Sequence, residues 1–272
     1  MSKNKQIKIG IVGCGSIGGE VASYIDKKLL SSAVVYALAD EDDKAAVKLQ
    51  KKLSSAPKVC STVALVKGVD LVIETASAAA ANFLLKKVIT YGKDLMILSV
   101  GALINKASLL KEAAKKGIKI YVPSGAVLGI DGIGALSMGT IKKVSLTTSK
   151  PPKGLIGADY LKKKKIDLTN LKKEKVVFKG DVGEAIKHFP KNINVAAAIS
   201  LASGFKKVEV CIKADPKLKR NVHNITVDSK EAKLNIRVEN IPSKANPKTS
   251  ALAILSTQQL LKKIFSPVKI GS

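Results

Sequence analysis

The sequence predicts an α/β chain, with a doubly wound parallel sheet over its first half and an α+β domain after it. Three observations predict this. Residues 6–12 pass from alternating to wholly apolar and run directly into Gly13-Cys14-Gly15-Ser16-Ile17-Gly18, as a strand buried on both faces does before a βα turn. Strand-like and helix-like segments then alternate as far as Val122, the pattern of a parallel sheet with helices on both faces. Beyond Pro123 the apolar residues recur mainly at period two, which predicts a sheet with one covered and one exposed face.

Each element has its own signal. Ile17, Val21, Tyr24 and Ile25 recur at helical spacing, so the glycine loop opens a helix. A strand at 33–39 ends in Asp40, and a helix follows at 43–53. Strands at 71–74, 95–99 and 119–122 alternate with helices at 78–91 and 106–116. Ser124-Gly125-Ala126 and the glycines at 129, 132, 134 and 139 read as a loop and helix region ahead of a strand at 144–148. A small-residue helix is expected at 192–202, and strands at 208–214, 221–228 and 234–238 are expected to pair antiparallel. Leu252, Leu255, Leu260 and Ile264 predict a terminal amphipathic helix over 247–265, with Pro247 in its first turn. The expected domains are therefore 1–123, 124–245, and a C-terminal helix within 246–272 that packs back on the first domain.

Composition narrows the function classes. A chain of 272 residues with 46% hydrophobic residues can bury a sizeable core. No apolar run reaches the length of a membrane span, and the N-terminus has no signal-peptide core, so a cytoplasmic protein is expected. Cys14, Cys60 and Cys211 are widely separated and lack metal-ligand spacing, which argues against a disulfide framework or a metal site. The net charge of +26 raises nucleic-acid or membrane binding as a question. Nearly all of it is dispersed lysine, with Arg220 and Arg237 the only arginines and few aromatics to stack bases. The favoured reading is a solvated lysine surface, with neither nucleic acid nor membrane as partner.

The chemistry concentrates at a few places. Gly13 permits the sharp turn out of the strand, Gly15 lets a pyrophosphate approach the backbone, and Gly18 lets the helix pack closely, while the helix N-terminus at Ser16 and Ile17 faces the phosphates. Asp40 closes the second strand 22 residues after Gly18, where an acidic residue can accept hydrogen bonds from an adenosine ribose. This is the fingerprint of a Rossmann-type domain that binds a nicotinamide dinucleotide. Glu41, Asp42 and Asp43 would repel a 2′-phosphate, which favours NAD, although Asp40 could instead cap the next helix. Only His188 and His223 offer an imidazole for general acid/base work. His188 lies in a short charged stretch, and His223 opens a period-two strand, where it could equally face solvent. Asn192 and Asn194 precede a helix and could cap it or hydrogen-bond a ligand. Lys150, before Pro151-Pro152, is a rigidly placed cation suited to a carboxylate.

Several motifs taken together resemble the L-aspartate dehydrogenases of archaeal and bacterial type. They are Ile9-Gly10-Ile11-Val12 with the glycine loop, Glu74-Thr75-Ala76-Ser77, Ser99-Val100-Gly101-Ala102, Pro123-Ser124-Gly125-Ala126, Thr148-Ser149-Lys150-Pro151-Pro152, Phe189-Pro190-Lys191-Asn192-Ile193-Asn194-Val195-Ala196 and the segment around His223. Thr75 stands where the family often has Cys or Ala, and the lysine content is atypical. The resemblance implies oxidative deamination of L-aspartate with NAD or NADP, through iminoaspartate, to oxaloacetate and ammonia, or the reverse amination, with a role in NAD biosynthesis. It implies an architecture like that of dihydrodipicolinate reductase and a homodimer. It assigns His223 to catalysis and Ala126 and Asn192 to the cofactor, with Ala76 and Ser77 as further cofactor candidates. For a substrate with two carboxylates, Lys150, Asn194 and the backbone near Ser124 are the candidate contacts. Two alternatives stay open: another reductase of the same architecture, of dihydrodipicolinate reductase or homoserine dehydrogenase type, and a basic nucleic-acid-binding redox sensor.

Overall fold

The computed structural model describes residues 6–189, 193–205, 207–243, 246 and 249–271. The chain divides into two compact units. One runs to Pro123 and takes up Ile254–Ile270, and the other is Ser124–Ala253 with Gly271.

The first unit contains β1 (Ile7–Val12), α1 (Ser16–Lys28), β2 (Ala33–Ala39), α2 (Asp43–Gln50), β3 (Lys58–Val59), α3 (Thr62–Gly68), β4 (Leu71–Glu74), α4 (Ala78–Tyr91), β5 (Asp94–Ile97), α5 (Ala107–Lys115) and β6 (Ile120–Tyr121). Its described strands form one wholly parallel sheet in the order β3-β2-β1-β4-β5-β6. Successive residues of a strand point to opposite faces, and the core divides accordingly. Ile9, Ile11, Ile73 and Met96 enter one buried cluster, while Val12, Val72, Leu95 and Ile97 enter the other. That division is why these strands read as continuous apolar runs. Ser77 caps α4 by accepting from the Ala80 N–H at 3.2 Å, and Ala81, Leu84, Leu85, Val88 and Ile89 form its buried stripe. The strand order reverses between β1 and β4. Ligands of open α/β sheets bind outside the carboxyl ends of the strands at such a switch point.

The second unit contains α6 (Ile130–Leu136), β7 (Ile141–Lys150), α7 (Asp159–Lys163), β8 (Lys175–Asp181), α8 (Val182–His188), α9 (Asn194–Ser203), β9 (Glu209–Ala214), β10 (Asn221–Ser229) and β11 (Lys233–Asn240). The order in its sheet is β11-β10-β7-β9-β8. The expected antiparallel sheet needs correcting here, because β7 and β9 pair parallel. The chain leaves β7, makes β8, α8 and α9, and returns in the same direction, and only a long excursion of this kind allows a parallel neighbour.

The last helix, α10, runs Ala251–Phe265 and starts later than the sequence pattern suggests. Pro247 lies outside the described residues. The Ser243 N–H donates to the Thr249 carbonyl at 2.7 Å, and Ser250 bridges Pro242, so residues 249 and 250 are still in extended pairing and cannot join a helix. Leu261 is fully buried in the first unit's core beside Ile9 and Ile11, with Leu260, Ile264 and Phe265 packed around it.

Candidate active site

The glycine loop owes its form to three different constraints. Gly13 has φ +99°, and a side chain there would strike the Thr75–Ala76 peptide at 2.7–2.8 Å. A Cβ on Gly18 would collide with the Gly13 carbonyl oxygen. A Cβ on Gly15, by contrast, would meet nothing within 4 Å. Packing does not require that glycine, and the room above it is free for a ligand. The Thr75 hydroxyl donates to the Gly13 carbonyl at 2.6 Å and fixes the turn. Gly15 is the N-cap of α1 and supplies no side-chain cap, and the buried Ser16 Oγ has no hydrogen-bond partner among the described residues. Backbone donors at a helix start, an unsatisfied hydroxyl and a missing Cβ together fit an anionic pyrophosphate.

Asp40 lies beside this loop. Its carboxylate accepts from the Cys14 N–H at 2.5 Å and from the Asp42 N–H at 2.9 Å. It does not cap α2, because Asp42 does so by accepting from the Lys44 N–H at 3.0 Å. Burial and the neighbouring Asp40 push the Cys14 thiol up to about 12, so it packs as a neutral group. A cavity of about 770 Å³ brings Gly13, Gly15, Asp40, Ala76 and Ser77 to one place. Glu41, Asp43, Ser61 and Phe83 also line it, and of these Ser61 and Phe83 carried no sequence expectation. Ser61 was readable as the cap of a helix at Thr62, which it is.

In the second unit the strand register assembles a polar group on one face of the sheet. Val144, Leu146, Thr148 and Lys150 share a face of β7, and His223, Ile225 and Val227 share a face of β10. His223 sits directly opposite Thr148, with Lys150 two residues further along β7. The Thr148 Oγ1 lies 2.9 Å from His223 Nδ1. His223 is 4% exposed and Lys150 8% exposed. Burial first, and then the Lys150 charge, lower the imidazole to about 4, while burial lowers the Lys150 ammonium to about 8. The imidazole is therefore neutral at pH 7. When Thr148 accepts from Nδ1–H, the lone pair on Nε2 is left to take a proton.

The remaining sequence candidates fall in different settings. The Ala126 carbonyl accepts from the Asn240 Nδ2 at 2.9 Å, and the Asn240 Oδ1 accepts from the Ser250 hydroxyl at 2.5 Å. Asn240 is buried and was not anticipated. Ser124 is half-buried just before that turn, and Gly125 has φ +69°. Lys150 is the buried last residue of β7, which runs two residues past the strand the sequence predicts at 144–148. Asn194 is the exposed first residue of α9, whose N-cap is Ile193, so it does not cap by its side chain. Asn192 lies outside the described residues. His188 is exposed at the end of α8, its ring 4.6 Å from that of Tyr160, and it stands apart from the Thr148–His223 pair as part of an aromatic cluster with Phe178 and Phe189.

Comparison with known proteins agrees with both units. Residues 13–123 match the family model for the homoserine dehydrogenase NAD binding domain, and residues 131–264 match that for aspartate dehydrogenase, C-terminal. An L-aspartate dehydrogenase of Methanosarcina acetivorans is 47% identical over 271 residues, 98% of this chain and all of that protein. Its counterpart in Methanosarcina barkeri is 46% identical over the same shares. Among solved structures, the aspartate dehydrogenase of Thermotoga maritima matches with a TM-score of 0.77 and 27% identity, over 98% of this chain and 100% of its own. The fold is thus the expected α/β domain followed by a second domain, and the chain belongs to the L-aspartate dehydrogenase family.

Proposed function

We propose that the protein catalyses the oxidative deamination of L-aspartate, through iminoaspartate, to oxaloacetate and ammonia, or the reverse amination, with a nicotinamide dinucleotide as redox partner. The observation that carries this reading beyond family membership is the buried His223 imidazole, held by Thr148 and flanked by Lys150. A bound nicotinamide supplies the acceptor for the hydride that leaves the substrate Cα. His223 Nε2 takes the ammonium proton, so that nitrogen has a lone pair to form the C=N bond. After releasing that proton to solvent, the same imidazole takes one from water as its oxygen attacks the imine carbon. It then returns the proton to the amino nitrogen, which leaves as ammonia while the hydroxyl loses its proton and the C=O bond forms.

Lys150 is suited to one substrate carboxylate. An anion beside it offsets the positive charge that disfavours protonation of His223, so substrate binding itself raises the proton affinity of the base. Asp40, Glu41 and Asp43 at the cavity favour NAD over NADP, because a 2′-phosphate would meet their charge. The reading includes a cytoplasmic homodimer, which light scattering would test, and a supply of iminoaspartate to NAD biosynthesis. The deciding experiment follows NADH formation with L-aspartate, homoserine and related acids. Turnover with L-aspartate supports the assignment, and turnover only with another acid rejects it.

A further inference from the structure

Glu74 is fully buried at the carboxyl end of β4, on the switch-point side of the sheet. A carboxylate is rarely enclosed in this way without partners, and this one has four donors. Its Oε1 accepts from the Ala76 N–H at 2.8 Å and from the Ser99 hydroxyl at 2.9 Å. Its Oε2 accepts from the Ser99 N–H at 2.8 Å and the Leu98 N–H at 3.2 Å. Burial pushes the carboxyl up, while all of these donors hold the charged form. One side chain thus ties the turn after β4 to the turn after β5. The connection extends to β1, because Thr75 bonds the Gly13 carbonyl and the Thr75–Ala76 peptide lies against Gly13.

We propose that Glu74 is a positioning residue for the cofactor, holding the turns after β1, β4 and β5 in one arrangement so that the nicotinamide half of the dinucleotide is presented in a single geometry. This rests on the reading of the glycine loop as a dinucleotide site. Asp40 directly follows β2, which lies two strands from β4 and three from β5, or about 10–15 Å at ordinary strand spacing. The ribose at Asp40 therefore lies over β2, whose turn Glu74 does not reach, while the nicotinamide half lies over the turns after β4 and β5 that it joins.

Glu74→Gln separates the two halves. An amide offers one acceptor edge where the carboxylate offers two, so the turn after β4 or the turn after β5 loses its acceptor. NADH affinity, read by fluorescence, is expected to fall about tenfold or more, while AMP affinity stays within about twofold. Unchanged NADH affinity in folded Glu74→Gln overturns the proposal, and so does an equal loss for NADH and AMP, which would mean general loosening. If that variant does not fold, Ser99→Ala removes one donor and is expected to weaken NADH about threefold with AMP unaffected; no change for NADH overturns the proposal. A wild-type protein that binds neither ligand overturns the reading of the site itself.

Discussion

Thr148 and His223 face each other across the β7–β10 pairing, with the threonine hydroxyl 2.9 Å from Nδ1 of a buried imidazole. A buried ring needs its non-reacting nitrogen satisfied, and a Thr148 hydroxyl that accepts from Nδ1–H leaves Nε2 as the basic nitrogen. Thr148→Val keeps the side-chain volume and removes the hydroxyl. We expect kcat to fall about 10- to 100-fold, since an unoriented base loses part of the ~10²–10⁴ that general-base catalysis supplies. NADH affinity should stay within about twofold, and Thr148→Ser should restore most of the rate. A Thr148→Val enzyme of wild-type kcat would remove Thr148 from the mechanism.

The depressed imidazole has a consequence for stability. Its folded value of about 4 lies below the ordinary 6.5, so between those limits the unfolded chain binds a proton that the native one refuses. Stability is therefore fully present above pH 6.5 and is lost as pH falls toward 4, by on the order of 3 kcal/mol for this group. Urea denaturation at pH 4.5, 5.5 and 6.5 checks it. His223→Asn should show a slope against pH shallower by about 1 kcal/mol per unit, and parallel slopes would refute the assignment.

Lys150→Met tests the cation beside that imidazole. Removing the charge lifts His223 only part of the way to its ordinary value, because burial is the larger cause. The acid limb of the kcat/KM profile should move to higher pH. KM for aspartate should rise about tenfold or more with the loss of a charged partner. A raised KM with an unmoved acid limb would leave Lys150 as a carboxylate ligand with no influence on the base.

Part of this site was legible in parity. Thr148 shares the period of Val144 and Leu146, and His223 that of Ile225 and Val227, but the sequence left open which face of the sheet is covered, and the strand expected at 144–148 stopped short of Lys150. The pairing of Thr148 with His223 was not legible, because alternation does not reveal which strand lies beside which. The same ignorance of direction hid the parallel β7–β9 pair. β3 escaped because two residues show no period, although α3 carried a readable cap at Ser61 and α8 a capping box between Asp181 and Glu184. Asn240 looked like any polar residue ending a strand, and only the fold shows it holding the Ala126 carbonyl.

Cofactor preference should respond to charge at Asp40. Asp40→Asn keeps an oxygen to accept from the neighbouring backbone and removes the negative charge that a 2′-phosphate would meet. The ratio of kcat/KM for NADP to that for NAD should rise about tenfold, equivalent to ~1.4 kcal/mol. An unchanged ratio would place discrimination on Glu41 and Asp43 instead.

Two glycines of one motif should fail in different ways. Gly18→Ala places a methyl group against the Gly13 carbonyl within the α1 packing contact, so the loop must move. We expect a loss of about 2 kcal/mol or more in stability, together with loss of NADH binding. Gly15 has an extended backbone, φ −73° and ψ −159°, that alanine adopts freely, and an added Cβ would meet only open space. Gly15→Ala should therefore melt within a few degrees of wild type. Its methyl group would nevertheless stand where the pyrophosphate approaches the backbone, so NADH affinity should still fall about tenfold or more. Thermal melts with and without NADH separate the two cases: a stable Gly15→Ala that binds NADH normally would mean that the phosphates do not lie over this loop.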